Sequence, residues 1–412
     1  MLYRKVVLAI ADGLGDRPNP ILGHKTPLEY ASTPNLDRLA AKGITGMMDL
    51  IASGIPVGTD MGHLILFGYE PQNYPGRGPI EALGIGMDVR PGDIVFRCNF
   101  ATVDEHGVVV DRRAGRIREG TDKIADAING IIVHGVTVYF QPATEHRAVL
   151  ILRGDGLSDQ VSDSDPKAPN DGSPFLRIEP LDLTKEAQKT ALVLNSFLLK
   201  AHSILKDHSV NAERISQGKL PANFILTRGA GKMTELEPIT DKLNIKGCCI
   251  AGESTVLGVA RMAGFQTVTH SSMTGNMDTN IQLKAKLATE SLAENDMILV
   301  HLKAPDLQGH DNEPFQKAKA IEMFDEMIGL IEKGIPEDVY LAIAADHSTP
   351  CEIGEHTGDP VPVLISGPSI RKDRVTEFNE MDCAYGGLGH LTGNDFVRTL
   401  HGFMGRVKKQ GN

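Results

Sequence analysis

Asp12 and Thr59 near the start of the chain, and Asp306, His310, Asp346, His347 and His356 near its end, are oxygen and nitrogen donors of the kind that hold divalent metal ions. Each C-terminal donor falls on or just beyond the end of an apolar, β-branched run. That is the edge where open α/β sheets place their chemistry. Carboxylates, imidazoles and a hydroxyl suit a pair of divalent metals. A lone Asp346-His347 could equally be a strand-end turn, but separate segments that all deliver ligand-type side chains at strand or helix ends are harder to assign to accident.

Thr59 closes the loop Gly54-Ile55-Pro56-Val57-Gly58-Thr59-Asp60, and from Met61 to Phe67 the pattern is helical. Its place at a helix entrance sets free backbone N–H groups and the positive end of the dipole against any bound anion. That position suits a phosphorylated hydroxyl; the plainer alternative is that Thr59 only caps the helix.

Positive charge is concentrated in the middle of the chain. Asp111-Arg112-Arg113-Ala114-Gly115-Arg116-Ile117-Arg118 packs four arginines into seven residues, and His146-Arg147 and Arg228 follow. Guanidinium forks grip phosphate and carboxylate oxygens in bidentate fashion. Arg118 reads as part of a solvated face; Arg112, Arg113 and Arg116, short of compensating acids, read as an anion site. Mixed oxygen and nitrogen donors favour Mn²⁺, Zn²⁺ or Co²⁺ over Mg²⁺ at the histidine-rich position.

The elements that must position these groups alternate as strand and helix, the pattern of a mostly parallel sheet with helices on both faces. Strands are expected at Val6 to Ile10, Gly46 to Ile51, Met297 to Leu302, Val339 to Ala344 and Val361 to Ile365. Helices are expected after Thr33, which is placed as an N-cap before Pro34, and over Phe315 to Lys333. Between about residues 88 and 241 the texture changes. Short β-like runs (Ile94 to Phe100, Val108 to Asp111, Val136 to Phe140, Ala148 to Leu152) and one long helix from Lys185 to Asp207 describe a separate α+β unit, with Ser162 to Ser173 as an exposed connection. The expected organisation is a discontinuous α/β metal-binding domain, 1–87 and 242–412, interrupted by a substrate-binding domain, 88–241.

A length of 412 residues allows about two or three domains. The formal charge of −11, from 53 acidic against 42 basic residues, argues against a nucleic-acid or membrane-surface binder. Five cysteines without a CxxC pair fit a reducing compartment. Tyr3 to Ile10, broken by Arg4 and Lys5, reads as a first strand rather than a signal peptide. No apolar stretch approaches the roughly 20 residues that span a bilayer. A cytoplasmic protein is expected; its oligomeric state is not legible.

The segments Asp12-Gly13-Leu14-Gly15-Asp16-Arg17-Pro18, Gly76-Arg77-Gly78-Pro79-Ile80-Glu81-Ala82-Leu83-Gly84, Asn99-Phe100-Ala101-Thr102, Asp111 to Arg116 and Asp346-His347-Ser348-Thr349-Pro350-Cys351 resemble the archaeal-type cofactor-independent phosphoglycerate mutase family, within the alkaline phosphatase superfamily. The resemblance covers nearly the whole chain. It implies an alkaline-phosphatase-like fold and an enzyme of glycolysis and gluconeogenesis that moves a phosphoryl group between the 3- and 2-hydroxyls of glycerate without 2,3-bisphosphoglycerate. It further implies two divalent ions, Mn²⁺ foremost, with Asp12, Thr59, Asp346 and His347 on one and Asp306, His310 and His356 on the other. Thr59 would be the phosphorylated nucleophile, and Arg112, Arg113, Arg116, His146, Arg147, Arg228 and Arg261 would line a substrate cavity between domains.

Four departures from the family pattern are visible. The nucleophile motif reads Gly58-Thr59-Asp60 where serine is usual, so a methyl restricts χ1 beside the hydroxyl. Leu257 stands where a lysine is expected. His390 replaces an arginine and Lys167 a histidine. Beside the mutase, the alternatives are a diverged metal-dependent phosphatase, phosphodiesterase or other phosphotransferase, and a non-catalytic metal- or phosphosugar-binding protein.

Overall fold

The computed structural model describes residues 3–167 and 172–411. The chain forms two compact units, one of Met1–Tyr74 with Glu237–Asn412 and one of Pro75–Leu236.

The larger unit is built on an eight-stranded sheet, in the order Gln266–Val268, Gly247–Ile250, Met297–Leu302, Val6–Ala11, Tyr340–Ala344, Val361–Ser366, Ile44–Asp49 and Gly389–Thr392. Val6–Ala11 is the apolar run VVLAIA, buried at every position. Such runs suit a strand covered on both faces. It pairs in parallel with Met297–Leu302 on one side and Tyr340–Ala344 on the other. Only Val361–Ser366 runs antiparallel to its neighbours, so the sheet is mostly parallel as expected. Helices Ile281–Ser291, Pro314–Gly334 and Pro34–Ala40 pack together in one layer, and Thr59–Phe67, Ser254–Met262 and Gly393–Phe403 in another. Thr33 is the N-cap residue of Pro34–Ala40, but its side chain makes no capping bond. Asp325 does that work from the neighbouring helix, accepting from Asn35 N at 2.9 Å and Leu36 N at 2.8 Å.

His401, on the helix Gly393–Phe403, is 7 % exposed. Burial and the nearby Lys242 push its imidazole down to about 4. An unfolded histidine titrates near 6.5, so between these values the unfolded chain binds the extra proton. Stability is therefore fully present above about pH 6.5 and is lost as pH falls through 4, by about 3 kcal/mol for this group. Denaturant midpoints followed from pH 7 to pH 4 should fall less steeply in His401→Phe; parallel curves would contradict the assignment.

The smaller unit is an antiparallel sheet. Val109–Asp111, Ile94–Val103, Arg147–Arg153, Val136–Pro142 and Ile131–Val133 follow one another, and Phe224–Lys232 pairs with Ile94–Val103 as well. One face carries Phe96, Phe100, Phe140 and Phe224 into a core closed by Val193, Leu194 and Phe197 of the helix Lys185–Leu205. On the other face Val95, Val149 and Ile151 pack on Ala82 of the helix Arg77–Gly84. That contact corrects the expected boundary, because residues 75–87 belong to the smaller unit. The return to the larger unit falls at 236–237 rather than 241–242.

The connection Ser162 to Ser173 is not simply exposed. Ser164 and Asp165 are buried, since the Ser164 and Thr227 hydroxyls lie 3.1 Å apart and Asp165 pairs with Arg112. Residues 168–171 of that connection lie outside the described residues. All five cysteines are buried and unpaired, and among the described residues no helix is long and apolar enough to cross a membrane.

Candidate metal and phosphoryl-transfer site

Three neighbouring parallel strands of the larger unit end together, with Ile10 in register with both His301 and Ala344. Asp12 therefore emerges between Lys303 and the pair Asp346-His347. The strand Met297–Leu302 leads directly into the helix Ala304–His310, whose i, i+4 spacing puts Asp306 and His310 on one face. Thr59 is the first residue of its helix, after Gly58 at the N-cap, and its hydroxyl faces His347 Nε2 and Lys303 Nζ. The hydroxyl is left for the site.

Two glycines allow this crowding. Gly13 has φ +63°, and a Cβ there would meet Thr349 Oγ1 at 2.6 Å and Asp306 Oδ1 at 2.7 Å. At Gly62 a Cβ would meet Asp346 Cβ at 2.8 Å, so the Thr59 helix can lie directly against the strand end.

Asp306 Oδ1 is 3.4 Å from His310 Nε2 and 3.4 Å from His356 Nε2, and the two nitrogens are 3.1 Å apart. His310 Nδ1 donates to Gly354 O at 2.8 Å and His356 Nδ1 to Val57 O at 2.9 Å. Each ring thus carries its proton on Nδ1 and turns the Nε2 lone pair inward, the arrangement that orients metal-ligating histidines. Two lone pairs and a carboxylate oxygen that converge without a donor between them fit a cation.

A second group, Asp12, Asp306 and His347, also brings its donor atoms within metal-ligand range of one another. His347 Nε2 lies 3.4 Å from Asp12 Oδ1, 3.3 Å from Asp346 Oδ2 and 3.3 Å from Thr59 Oγ1. Thr349 Oγ1 donates to Asp306 Oδ1 at 2.6 Å and accepts from His347 Nδ1 at 3.1 Å, which again leaves Nε2 for the centre. Asp346 Oδ1 accepts from Gly13 N at 3.1 Å, while its Oδ2 is buried without a hydrogen bond among the described residues. An orphaned buried carboxylate oxygen costs free energy unless a cation meets it. The donor set therefore fits divalent metal. All seven donors read from the sequence meet here, and Asp306, expected at one metal only, stands within reach of both groups.

Further contributors were not foreseen. Lys303 Nζ donates to Asp12 Oδ1 at 3.0 Å and Thr59 Oγ1 at 3.3 Å, and pairs with Asp306 Oδ2 at 2.7 Å. Burial works against the charged forms, but this lysine and His301 together hold the Asp12 carboxyl well below the usual range. Asp306 is likewise lowered: burial and Asp12 oppose its ionisation, but the facing His356 and the charge of Lys303 outweigh them. His301 Nε2 donates to Asp12 Oδ2 at 2.8 Å, and His63 Nδ1 donates to Thr59 O at 2.8 Å while facing Asp346 Oδ2 at 3.3 Å. A lone histidine inside the buried strand MILVHL was the available signal for His301.

Lys317, fully buried, donates to Asp16 Oδ2 at 2.9 Å, Thr349 O at 2.9 Å and Gly15 O at 3.1 Å. It ties the loop after Asp12 to the loop after His347. Lys317→Met would leave Asp16 buried without its cation, at a cost of about 3–5 kcal/mol. Thermal unfolding of the purified variant checks this; an unchanged midpoint would remove the tie from the structure's support.

The arginines gather on the smaller unit. The His146 imidazole is held below its usual range by burial and by the like charges of Arg147, Arg113 and Arg116. Arg113, Arg116 and Arg147 are exposed. Arg112 is engaged internally, its Nε and Nη2 donating to Asp165 at 2.7 and 2.8 Å. The expected open fork at Arg112 is thus closed by a carboxylate from the connection that sequence reasoning placed in solvent. Arg228 Nε is buried without a hydrogen-bond partner among the described residues. Arg261 stands apart from this cluster in sequence and belongs to the larger unit, where its Nε donates to Thr267 Oγ1 at 3.2 Å. Arg118 pairs with Glu145, as a solvated charge.

A mostly parallel α/β sheet that ends in a carboxylate–imidazole cluster around a helix-entrance hydroxyl defines a metal-dependent phosphoryl-transfer class. The profile of the 2,3-bisphosphoglycerate-independent phosphoglycerate mutase family matches residues 40–211. The protein of that name from Methanopyrus kandleri is 46% identical over 100% of this chain and 99% of its own length. One from Methanothermobacter thermautotrophicus is 44% identical over 99% and 100%. Among solved structures, a protein from Pyrococcus horikoshii aligns with TM-score 0.85 and 38% identity, covering 100% of both chains. A cofactor-independent phosphoglycerate mutase from Thermoplasma acidophilum aligns with TM-score 0.76 and 36% identity, covering 97% of this chain and 100% of that one. The chain belongs to the 2,3-bisphosphoglycerate-independent phosphoglycerate mutase family.

Proposed function

We propose that the protein interconverts 3-phosphoglycerate and 2-phosphoglycerate through a phosphorylated Thr59, with divalent metal held by Asp12, Thr59, Asp346 and His347 and by Asp306, His310 and His356. The observation that carries this reading is the meeting of the Thr59 hydroxyl with His347, Lys303 and the Asp12 and Asp306 groups at one sheet edge. When bound, the metal ions lower the hydroxyl's pKa and neutralise phosphoryl charge. Mixed nitrogen and oxygen donors suit Mn²⁺, Zn²⁺ or Co²⁺ better than Mg²⁺, and Mn²⁺ is taken as the foremost of them on the family resemblance.

Thr59 Oγ1 attacks phosphorus, the bond from phosphorus to the 3-oxygen of glycerate breaks, and that oxygen takes up the proton the threonine released. In the reverse sense the 2-hydroxyl then attacks phospho-Thr59, returning a proton to Oγ1. Atoms balance without water or bisphosphoglycerate. His63 and His301 keep Thr59 and Asp12 in place from behind, so the nucleophile needs little reorganisation before attack. On the smaller unit, Arg113, Arg116, Arg147 and Arg228 are the groups offered to phosphate and carboxylate; Arg112 supports them through Asp165, with His146 beside them. Arg261 is assigned the same task from the larger unit. The reaction is placed in the cytoplasm.

Phosphorus NMR of the Mn²⁺-loaded protein with 3-phosphoglycerate, and no added bisphosphoglycerate, tests the reading. A steady approach to a mixture with 2-phosphoglycerate is expected, reversed by chelation. Accumulating inorganic phosphate without the second isomer would instead identify a hydrolase.

A further inference from the structure

We propose that Lys303 is a catalytic cation of this site: its ammonium holds the Thr59 oxygen before attack and pairs a non-bridging oxygen of the phosphoryl group once Thr59 carries it. This rests on the phospho-Thr59 reading above. The geometry is specific. Lys303 Nζ is 3.3 Å from Thr59 Oγ1, 3.0 Å from Asp12 Oδ1 and 2.7 Å from Asp306 Oδ2, so it lies at the nucleophile and between the two ligand groups at once.

Its backbone explains why it stays there. Lys303 follows the last residue of the strand Met297–Leu302 and is the N-cap residue of the helix Ala304–His310, three residues before Asp306. The stem therefore starts from the same rigid corner as a metal ligand, and the side chain is only 14% exposed. Leu257 offers no competing charge: it is a buried apolar residue on Ser254–Met262, the helix packed against the Thr59 helix.

Charge gives an independent reason. Asp12, Asp306 and Asp346 carry three negative charges, and a phosphoryl group adds about two more. A pair of divalent ions would answer four of these. In a site this buried a residual unit charge is expensive, and one ammonium removes it. A cation already in contact with the attacking oxygen also acts on charge as it develops, with no reorganisation at the moment of transfer.

The competing role for Lys303 is that of a counter-ion that only holds Asp12 and Asp306 together until metal arrives. Lys303→Met and Lys303→Arg in the full chain separate the two. Mn²⁺ affinity is measured by titration calorimetry, thermal midpoint with and without Mn²⁺, and the rate of phosphate attachment to the Mn²⁺-saturated protein by quenched-flow mass spectrometry with 3-phosphoglycerate. Lys303→Met is expected to slow phosphorylation by about 10²- to 10³-fold, with Mn²⁺ affinity retained or tightened, and Lys303→Arg to recover part of that rate. Phosphorylation of Mn²⁺-saturated Lys303→Met at the wild-type rate would overturn the assignment, leaving phospho-Thr59 intact. The assignment is equally overturned if Lys303→Met does not fold and Lys303→Arg, folded and Mn²⁺-saturated, gains nothing from its charge over a Lys303→Gln variant. A wild-type protein that turns substrate over but never carries phosphate on Thr59 would overturn the underlying reading, and Lys303's role with it.

Discussion

Thr59→Ala is expected to lower mutase turnover by about 10³-fold or more and to abolish covalent phosphate on the chain, whereas Thr59→Ser keeps both. Gly58, not Thr59, is the N-cap residue of its helix, and the Thr59 Oγ1 faces His347 Nε2 and Lys303 Nζ, both at 3.3 Å. Serine offers the same oxygen with a freer χ1, so the threonine methyl is not needed for attack. The comparison also isolates chemistry from binding. Loss of an interaction made only in the transition state lowers kcat and kcat/KM equally, so KM should change little in Thr59→Ala. Turnover unchanged in Thr59→Ala, measured from either isomer, would place the nucleophile elsewhere.

Asp306→Ala should do comparable damage by another route. Asp306 is shared by both potential ligand groups, takes the Thr349 hydroxyl hydrogen bond and pairs with Lys303. Its loss leaves the facing His310 and His356 nitrogens, 3.1 Å apart, without their common carboxylate. Mn²⁺ affinity is expected to fall by about 10²-fold or more, and turnover at a fixed low metal concentration by about 10³-fold. His310→Ala provides the contrast, because it touches one ligand group only. Calorimetric titration should then show a weakened site beside a retained one. If Asp306→Ala bound Mn²⁺ with wild-type stoichiometry and affinity, the shared role of Asp306 would be wrong.

The cluster of candidate donors was legible in the sequence because each of them sits where a local rule puts it. Asp12, Asp346 and His347 follow apolar runs whose length and β-branching mark strands, and parallel strands expose their carboxyl ends together. Asp306 and His310 are spaced for one helix face. Thr59 follows a glycine-rich loop, and its helix begins where the pattern turns helical. What was illegible depends on pairing across long stretches of chain. Lys303 looks like any strand-end lysine until Asp12, 291 positions away, is seen to accept from it. Arg112 looks like an open fork, and only the fold brings Asp165 onto it. The same holds for Asp325, which caps a helix that Thr33 was expected to cap. The helix Arg77–Gly84 carries no local mark of the unit to which it belongs; its apolar face found partners in the smaller sheet. Local periodicity specifies elements, whereas partners for charges and apolar faces are set by topology.

Mapping the site of phosphate on the protein tests the central claim most directly. Mn²⁺-loaded protein, mixed with 3-phosphoglycerate, acid-quenched within a turnover and digested, should yield one phosphorylated peptide, modified at Thr59 and absent after chelation or in Thr59→Ala. Interconversion of the two phosphoglycerates with no phosphate on Thr59 at any quench time, or with phosphate on another residue, would contradict it.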